Sequence, residues 1–115
     1  MKGDDLYLHF IKECIDDIHT FISEGEKEFF QNKKTQYAVI RALQILAEST
    51  QRISPDLTNE YPEVDWRGIS GFRNVLVHDY FGLNPVRIWE IIENDLPILD
   101  REISRMIKKV DTIQK

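Results

Sequence analysis

This chain of 115 residues, 42% of them hydrophobic, is long enough for about one domain with one core. Acidic residues outnumber basic ones by 20 to 15, and the net charge of −5 excludes a protein that coats nucleic acid non-specifically. A single cysteine, Cys14, excludes an intramolecular disulfide and a cysteine-based zinc site. No apolar run approaches the roughly 20 residues of a membrane span. We therefore expect one domain over residues 1–115, soluble and cytoplasmic, with no membrane partner.

The first predicted helix begins at Asp4 or Asp5, either of which can cap it. Apolar residues then recur every three or four positions, the period of a helix with one buried face. These residues are Leu6, Tyr7, Phe10, Ile11, Cys14, Ile15, Ile18, Phe21 and Ile22. The thiol of Cys14 lies on that stripe, so we interpret it as a buried structural group rather than a nucleophile. Gly25 is the natural break after this helix.

A second helix is predicted from Thr35, as its cap, to the Ser54-Pro55 pair, because proline disfavours helix at the residue before it. Its predicted inward residues are Val39, Ile40, Leu43, Ile45 and Leu46. The following stretch, 54–64, contains two prolines and an asparagine and is the longest predicted connector.

The third predicted helix is capped by Asp65 and turns Ile69, Phe72, Val75 and Leu76 inward. Asn84 followed by Pro85 is typical of the cap and first position of a fourth helix. Pro97 interrupts the apolar pattern from 86 to 113, which predicts a kink or a restart with Asp95 as the new cap. No alternating run of apolar and polar residues indicates a sheet. The prediction is an all-α, up-and-down bundle of four to five helices.

The segment 70–81, SGFRNVLVHDYF, combines a cation, an amide, an imidazole and a phenol with apolar residues. Arg73 carries a permanent charge on a planar fork that matches phosphate oxygens. His78 is the side-chain type that gives and takes protons near neutral pH. Such a pair favours phosphodiester cleavage without a metal ion, with Asn74 orienting the imidazole or a phosphate oxygen. The nearby Asp65 and Asp79 do not form a two-metal cluster.

Helical geometry limits how these residues can cooperate. At 100° per residue, Arg73 and His78 lie about 140° apart around an ideal helix, whereas Asn74 and His78 share a face. Two arrangements can bring the arginine and the histidine to one phosphate. Either the helix loosens at His78-Asp79, or a second subunit supplies its own copy of the segment.

The spacing of these residues resembles the Arg-x-x-x-x-His-x-Tyr signature of the HEPN superfamily, in particular its HepT-like branch. Arg73, Asn74, His78 and Tyr80 fill the motif positions. Four further segments also resemble that branch: 37–48, 61–66, 79–89 and 95–97. The chain departs from it at 47–49, where Ala-Glu-Ser replaces the usual Gly-Glu-Ala.

The resemblance implies a HEPN-like bundle, a homodimer with a composite cleft, and a metal-independent endoribonuclease toxin of a toxin–antitoxin pair. Arg73 would stabilise charge on the phosphate, His78 would act as general acid or base, and Asn74 would support them. A partner nucleotidyltransferase would inhibit the toxin by adding AMP to Tyr80. No cofactor, resident metal or DNA partner is implied.

A second function stays open, namely a non-catalytic dimeric module that docks a minimal nucleotidyltransferase or positions a nucleotide for it. RNA binding without cleavage is disfavoured by the acidic balance of the chain and by the lack of an exposed aromatic stacking pattern. Several other polar residues have structural interpretations. His9 and His19 are interpreted as ordinary helix histidines, Arg41 and Glu48 as interhelical polar contacts, and Arg105, Lys108 and Lys109 as a solvated face.

Overall fold

A computed structural model describes residues 3–78 and 83–114, apart from the side chains of 113 and 114. Seven α-helices lie in this part of the chain: α1 Asp4–Phe21, α2 Glu26–Gln31, α3 Lys33–Thr50, α4 Pro55–Thr58, α5 Trp66–His78, α6 Pro85–Glu90 and α7 Leu96–Gln114. Because the described ranges contain no strand, the predicted all-α class is confirmed. None of the helices described is both long and apolar enough to cross a membrane.

Helix α1 is central to the packing, with α3 on one side and α7 on another, while α5 packs mainly against α3. The buried face of α1 consists of residues at helical spacing, Leu8, Ile11, Cys14, Ile15 and Ile18. They meet the fully buried Val39 of α3 and Ile103 and Met106 of α7 in one continuous core. The four principal helices, α1, α3, α5 and α7, thus agree with the predicted bundle, and the shorter ones connect or extend them.

Two of the predicted helix caps are wrong, one because of a distant partner and the other because a nearby residue takes its place. Asp4 does not cap its own helix, since Gly3 holds that position and the Asp4 carboxylate is buried. Its oxygens instead accept hydrogen bonds from the backbone N and the Oγ of Ser54, at 2.8 and 2.7 Å, where α4 begins. Helix α3 is capped by Asn32, whose side chain accepts from the backbone N of Thr35. Thr35 is therefore inside the helix that it was predicted to cap.

The predicted break at Gly25 and the caps at Asp65 and Asn84 are confirmed. Gly25 has φ of +97°, in the region that side chains other than glycine disfavour, and it allows the chain to enter α2. The Asp65 carboxylate accepts from the backbone N of Gly68 at 2.9 Å in the first turn of α5. Asn84 accepts from the backbone N of Val86 at 2.9 Å in α6.

No separate helix starts at Pro97 with Asp95 as its cap. Helices α6 and α7 are joined by a π-helical turn, Ile91–Asp95, and the chain remains helical across it. Proline has no N–H to offer the carbonyl one turn earlier, so a locally widened helix accommodates it with less disturbance than a regular one. The sequence does not distinguish the two arrangements, because a new helix and a π turn both interrupt the spacing of apolar residues in the same way.

Some residues at the edges of the predicted buried faces are exposed in the structure, and one buried residue was not predicted. Leu6, Phe10 and Phe21 are 54%, 42% and 40% exposed, whereas Leu8, absent from the predicted stripe, is fully buried. Ile45 of α3 is 39% exposed, although it was predicted inward. Val75 of α5 is likewise 41% exposed, so the outward surface of α5 contains more apolar area than the pattern indicated.

Candidate active site on helices α3 and α5

Helix α5 carries the described part of the motif, and hydrogen bonds stabilise its N-terminal end. Asp65 caps its first turn, and the half-buried Trp66 donates its indole N–H to the backbone O of Tyr61 at 3.0 Å. Among the thirteen residues of α5, Leu76 alone is buried. The helix is therefore held on one side by α3 and presents most of its remaining surface outward.

Arg73 lies on the side of α5 that faces α3, with its side chain 30% exposed. Its Nε donates to Oε1 of Glu48 at 2.6 Å, and its Nη1 donates to Oδ1 of Asn74 at 3.2 Å. Two separate acceptors thus fix the plane of the guanidinium. No described residue accepts from Nη2, which leaves the outer edge of the fork able to meet phosphate oxygens.

Asn74 and His78 are both exposed and lie one helical turn apart on the outer surface of α5. His78 is the last residue of the helix, and no described residue forms a hydrogen bond or ion pair with its ring. Because α5 is α-helical through His78, the separation of about 140° from Arg73 applies in the monomer. The structure thus joins Arg73 and Asn74 directly but does not bring Arg73 and His78 onto one face.

The proposed modification residue, Tyr80, lies outside the described residues, as does Asp79. The predicted loosening of the helix at His78-Asp79 therefore stays a prediction, because only the first of these two residues is described.

Glu48 is the acidic partner of Arg73, a pairing that the sequence analysis did not predict. Its expected interhelical contact is confirmed, because it bridges α3 to α5. Within the described ranges, Arg41 makes no such contact and instead donates to Gln44 of its own helix at 3.2 Å. A second α3–α5 hydrogen bond joins Gln51 to Ser70 at 3.4 Å. These pairs, 48 with 73 and 51 with 70, show that the two helices run antiparallel.

A groove of about 300 Å³ lies near α5 but is not lined by the described motif residues. Its walls are mostly apolar side chains of α3, α5 and the α6–α7 segment, and its polar rim includes Glu63 and Arg87. Phe72, the neighbour of Arg73, lines it, whereas Arg73 and His78 do not. The candidate site is therefore an exposed surface of α3 and α5 and not the interior of this groove.

Two described carboxylates near the motif, Glu48 and Asp65, already have partners. Oε1 of Glu48 holds Arg73, and Oδ1 of Asp65 caps α5. In the described part of the chain, one group of three side chains comes within range of a shared metal ion, with Asp5, His9 and Asp111 having ligand atoms within 4.8 Å of one another. That group lies on α1 and α7, so it contributes no residue to the motif on α5.

Buried thiol and carboxylate groups elsewhere have shifted pKa values with structural causes. Burial raises the pKa of the Cys14 thiol to about 11, assisted by Asp17 and Glu13. On α7, the hydrogen bonds that Arg105 donates to Glu102, at 3.0 and 2.8 Å, lower the pKa of that carboxyl group. The guanidinium of Arg105 also lies 5.3 Å from the ring centre of Tyr61. These groups stabilise the bundle and are not part of the site.

Comparison with known proteins identifies the family of this chain. The chain is 39% identical over 106 residues to "Putative RNase MJ0127" of Methanocaldococcus jannaschii, which covers 91% of this chain and 88% of that protein. It is 37% identical over 103 residues to "Probable ribonuclease HepT" of Thermococcus cleftensis, covering 89% and 94% of the two chains. No solved structure matches the chain significantly. Residues 11–106, which include the α3 and α5 site, match the family Ribonuclease HepT-like, and the chain therefore belongs to that HEPN-type family.

Proposed function

We propose that this protein is a metal-independent endoribonuclease that cleaves RNA by attack of a ribose 2′-OH on the adjacent phosphate. The observation that carries the proposal is the placement of Arg73, whose guanidinium is held by Glu48 and Asn74 at the surface of the helix that ends in His78. Membership of a ribonuclease family supports the same reaction.

In this reaction the 2′-oxygen forms a bond to phosphorus while the bond from phosphorus to the 5′-oxygen breaks. His78 accepts the 2′-OH proton or donates a proton to the leaving 5′-oxygen, and water exchanges the other proton. Arg73 donates from Nη2 to the non-bridging oxygens, where negative charge develops in the transition state. The products are a 2′,3′-cyclic phosphate and a 5′-hydroxyl.

The cleft is proposed to form between two copies of α5. His78 and Asn74 lie on its outer surface, together with Val75 and Val77, which are 41% and 38% exposed. A Cβ atom added at Gly71 would meet nothing within 4 Å, so the middle of this surface is flat enough for another helix to approach. Packing two such surfaces would cover the exposed valines and bring His78 of one subunit toward Arg73 of the other.

Regulation by a nucleotidyltransferase is part of the same proposal. An AMP group on Tyr80, two residues after His78, would place negative charge where Arg73 receives the RNA phosphate and would inhibit cleavage. The protein would then be the toxin of a toxin–antitoxin pair whose partner enzyme attaches the AMP.

The test is cleavage of total cellular RNA in EDTA by wild type, Arg73→Ala and His78→Ala proteins, with analysis of the product ends. We expect cyclic phosphate ends from wild type alone. Equal inactivity of all three proteins, with no added mass on Tyr80, would reject the nuclease and favour the docking module for a nucleotidyltransferase.

A mixing experiment tests the composite cleft separately. If each cleft uses Arg73 of one subunit and His78 of the other, a mixed dimer of Arg73→Ala and His78→Ala chains contains one intact pair. We expect such mixtures, after denaturation and refolding together, to regain part of the wild-type activity. Folded mixtures that stay inactive would show that both residues must come from one subunit.

A further inference from the structure

Acidic and basic residues are unevenly distributed on this molecule. The net charge is −5, yet no acidic residue occurs from 29 to 47 or from 66 to 78. These ranges contain most of α3 and all of α5, the two helices that pack together at the candidate site. The one carboxylate of α3, Glu48, is already paired with Arg73. The surface formed by these two helices is therefore less acidic than the chain as a whole, which reduces its repulsion of RNA phosphates.

On α3, one stripe of residues leads away from the Arg73–Glu48 pair. Lys34, Tyr37, Arg41, Gln44 and Glu48 follow one another at intervals of three and four residues and so lie on one face of the helix. Of these, Lys34, Tyr37 and Arg41 are exposed, and the Tyr37 side chain is 52% exposed. The Arg41 guanidinium donates from Nη1 to Gln44 at 3.2 Å, which directs it along the stripe.

The direction of this stripe is set by the antiparallel pairing of α3 and α5. Glu48 lies beside Arg73, so positions before Glu48 on α3 lie at the level of positions after Arg73 on α5. At about 1.5 Å per residue, Arg41 is about 10 Å along α3 from Glu48, and His78 is about 7.5 Å along α5 from Arg73. Arg41 is thus at the level of the C-terminal end of the motif helix.

We propose that Lys34, Tyr37 and Arg41 form a binding subsite for single-stranded RNA next to the cleavage site. Arg41 and Lys34 bind successive stretches of the phosphate backbone, and the ring of Tyr37, which lies between them on the helix, stacks on a base. The subsite rests on the proposed ribonuclease function, since it assigns the place of the substrate strand beside the scissile phosphate. It also accounts for how a protein of net negative charge holds RNA.

Single-stranded RNA fits this surface better than duplex RNA. Stacking on Tyr37 requires an unpaired base with an accessible face, whereas a paired base is covered by its neighbours. Basic residues along one face of a single helix can contact the phosphates of one RNA strand only. The subsite therefore predicts preference for loops, ends or unpaired segments, with little base specificity, because stacking and phosphate contacts do not read base edges.

The test measures binding of a labelled single-stranded RNA oligonucleotide by fluorescence anisotropy over a series of salt concentrations. It uses the His78→Ala protein, which leaves the RNA intact, as the parent. Arg41→Ala and Lys34→Ala should each weaken binding at low salt and reduce the salt slope by about 0.7 per lost phosphate contact. Lys108→Ala, which removes one exposed positive charge from α7, is the matched control and should leave the slope unchanged.

Tyrosine variants separate stacking from charge. Tyr37→Ala should weaken binding by about 5- to 100-fold without changing the salt slope, whereas Tyr37→Phe keeps the ring and should bind like the parent. A duplex RNA of the same sequence should bind Tyr37→Ala and the parent equally. Thermal melting of each variant checks that the bundle remains folded.

The subsite is overturned if the parent does not bind the oligonucleotide, or if Arg41→Ala and Lys34→Ala keep the parent slope. A slope that falls only in Lys108→Ala would also overturn it and place the RNA on α7. Failure of the proposed function gives a different result, the absence of cyclic phosphate products from wild type. Wild-type cleavage with unchanged binding by the α3 variants would reject only the subsite.

Discussion

Replacement of Glu48 tests whether the ion pair with Arg73 positions the catalytic cation. Glu48→Ala removes the acceptor of the 2.6 Å hydrogen bond from Nε, while the bond from Nη1 to Asn74 remains. The guanidinium can then rotate about its one remaining contact. A misplacement of about 1 Å at a reacting centre costs about 100-fold in rate, so we expect kcat for RNA cleavage to fall by about 10- to 100-fold.

The expected effect on stability is much smaller. Two unit charges about 4 Å apart near a protein surface attract by about 4 kcal/mol, but desolvation and the ordering of two side chains offset most of this. With Arg73 30% and Glu48 40% exposed, we expect Glu48→Ala to lower the free energy of unfolding by about 1 kcal/mol or less. Urea denaturation measures this loss directly.

Kinetic constants separate positioning from RNA attraction. Glu48 carries a negative charge beside the RNA surface, so its removal should leave KM unchanged or lower it while kcat falls. Glu48→Gln keeps an oxygen acceptor for Nε and should retain much of kcat. Gln51→Ala is the matched control, because it removes the other α3–α5 hydrogen bond without contacting Arg73. Wild-type kcat in Glu48→Ala, or an equal loss in Gln51→Ala, would refute the positioning role.

Three further outcomes follow from buried groups. Asp4→Ala should lower the free energy of unfolding by about 2 kcal/mol, measured in urea, because it leaves the backbone N of Ser54 without its acceptor; an unchanged midpoint would contradict this. With its pKa raised to about 11 from 9.0, the Cys14 thiol should be ionised about 100-fold less at pH 8 when folded, so thiol reagents should modify it rapidly only in denaturant. Glu102→Gln should lower Tm at pH 7, and because Arg105 holds the folded pKa of the carboxyl group below its ordinary 4.5, the difference from wild type should shrink as the pH falls below about 4.5; a difference independent of pH would refute the ionised contact.

Local chemistry in the sequence predicted the helix boundaries that depend on neighbouring residues alone. Gly25, Asp65 and Asn84 act within one turn of their positions, and all three behave as predicted. Asp4 was assigned wrongly because its carboxylate accepts from Ser54, 50 residues away, and this distant donor replaced the backbone N–H of its own helix. The existence of the long helices was therefore predictable, whereas the short α4 inside the predicted connector 54–64 and the partner of Asp4 were not.

For the site, the spacing of the residues in the sequence predicted their angular positions around α5 but not which side chains contact one another. The angle of 140° between Arg73 and His78 follows from helix geometry and holds along α5. The Arg73–Glu48 bond required the register of two helices, 25 residues apart in sequence, which no single-helix pattern contains. Val75 was placed inward because its type is apolar, and the structure shows it exposed on the side proposed for dimer contact.

The π turn before Pro97 also affects the phase of the helix that follows. In a regular helix the eight residues from Ile88 to Leu96 would rotate the chain about 80° past two full turns, yet both side chains are buried in the core. The wider turn at Ile91–Asp95 takes up roughly one residue of that rotation. The chain can thus hold one additional residue inside a continuous helix and still keep both Ile88 and Leu96 on the buried side.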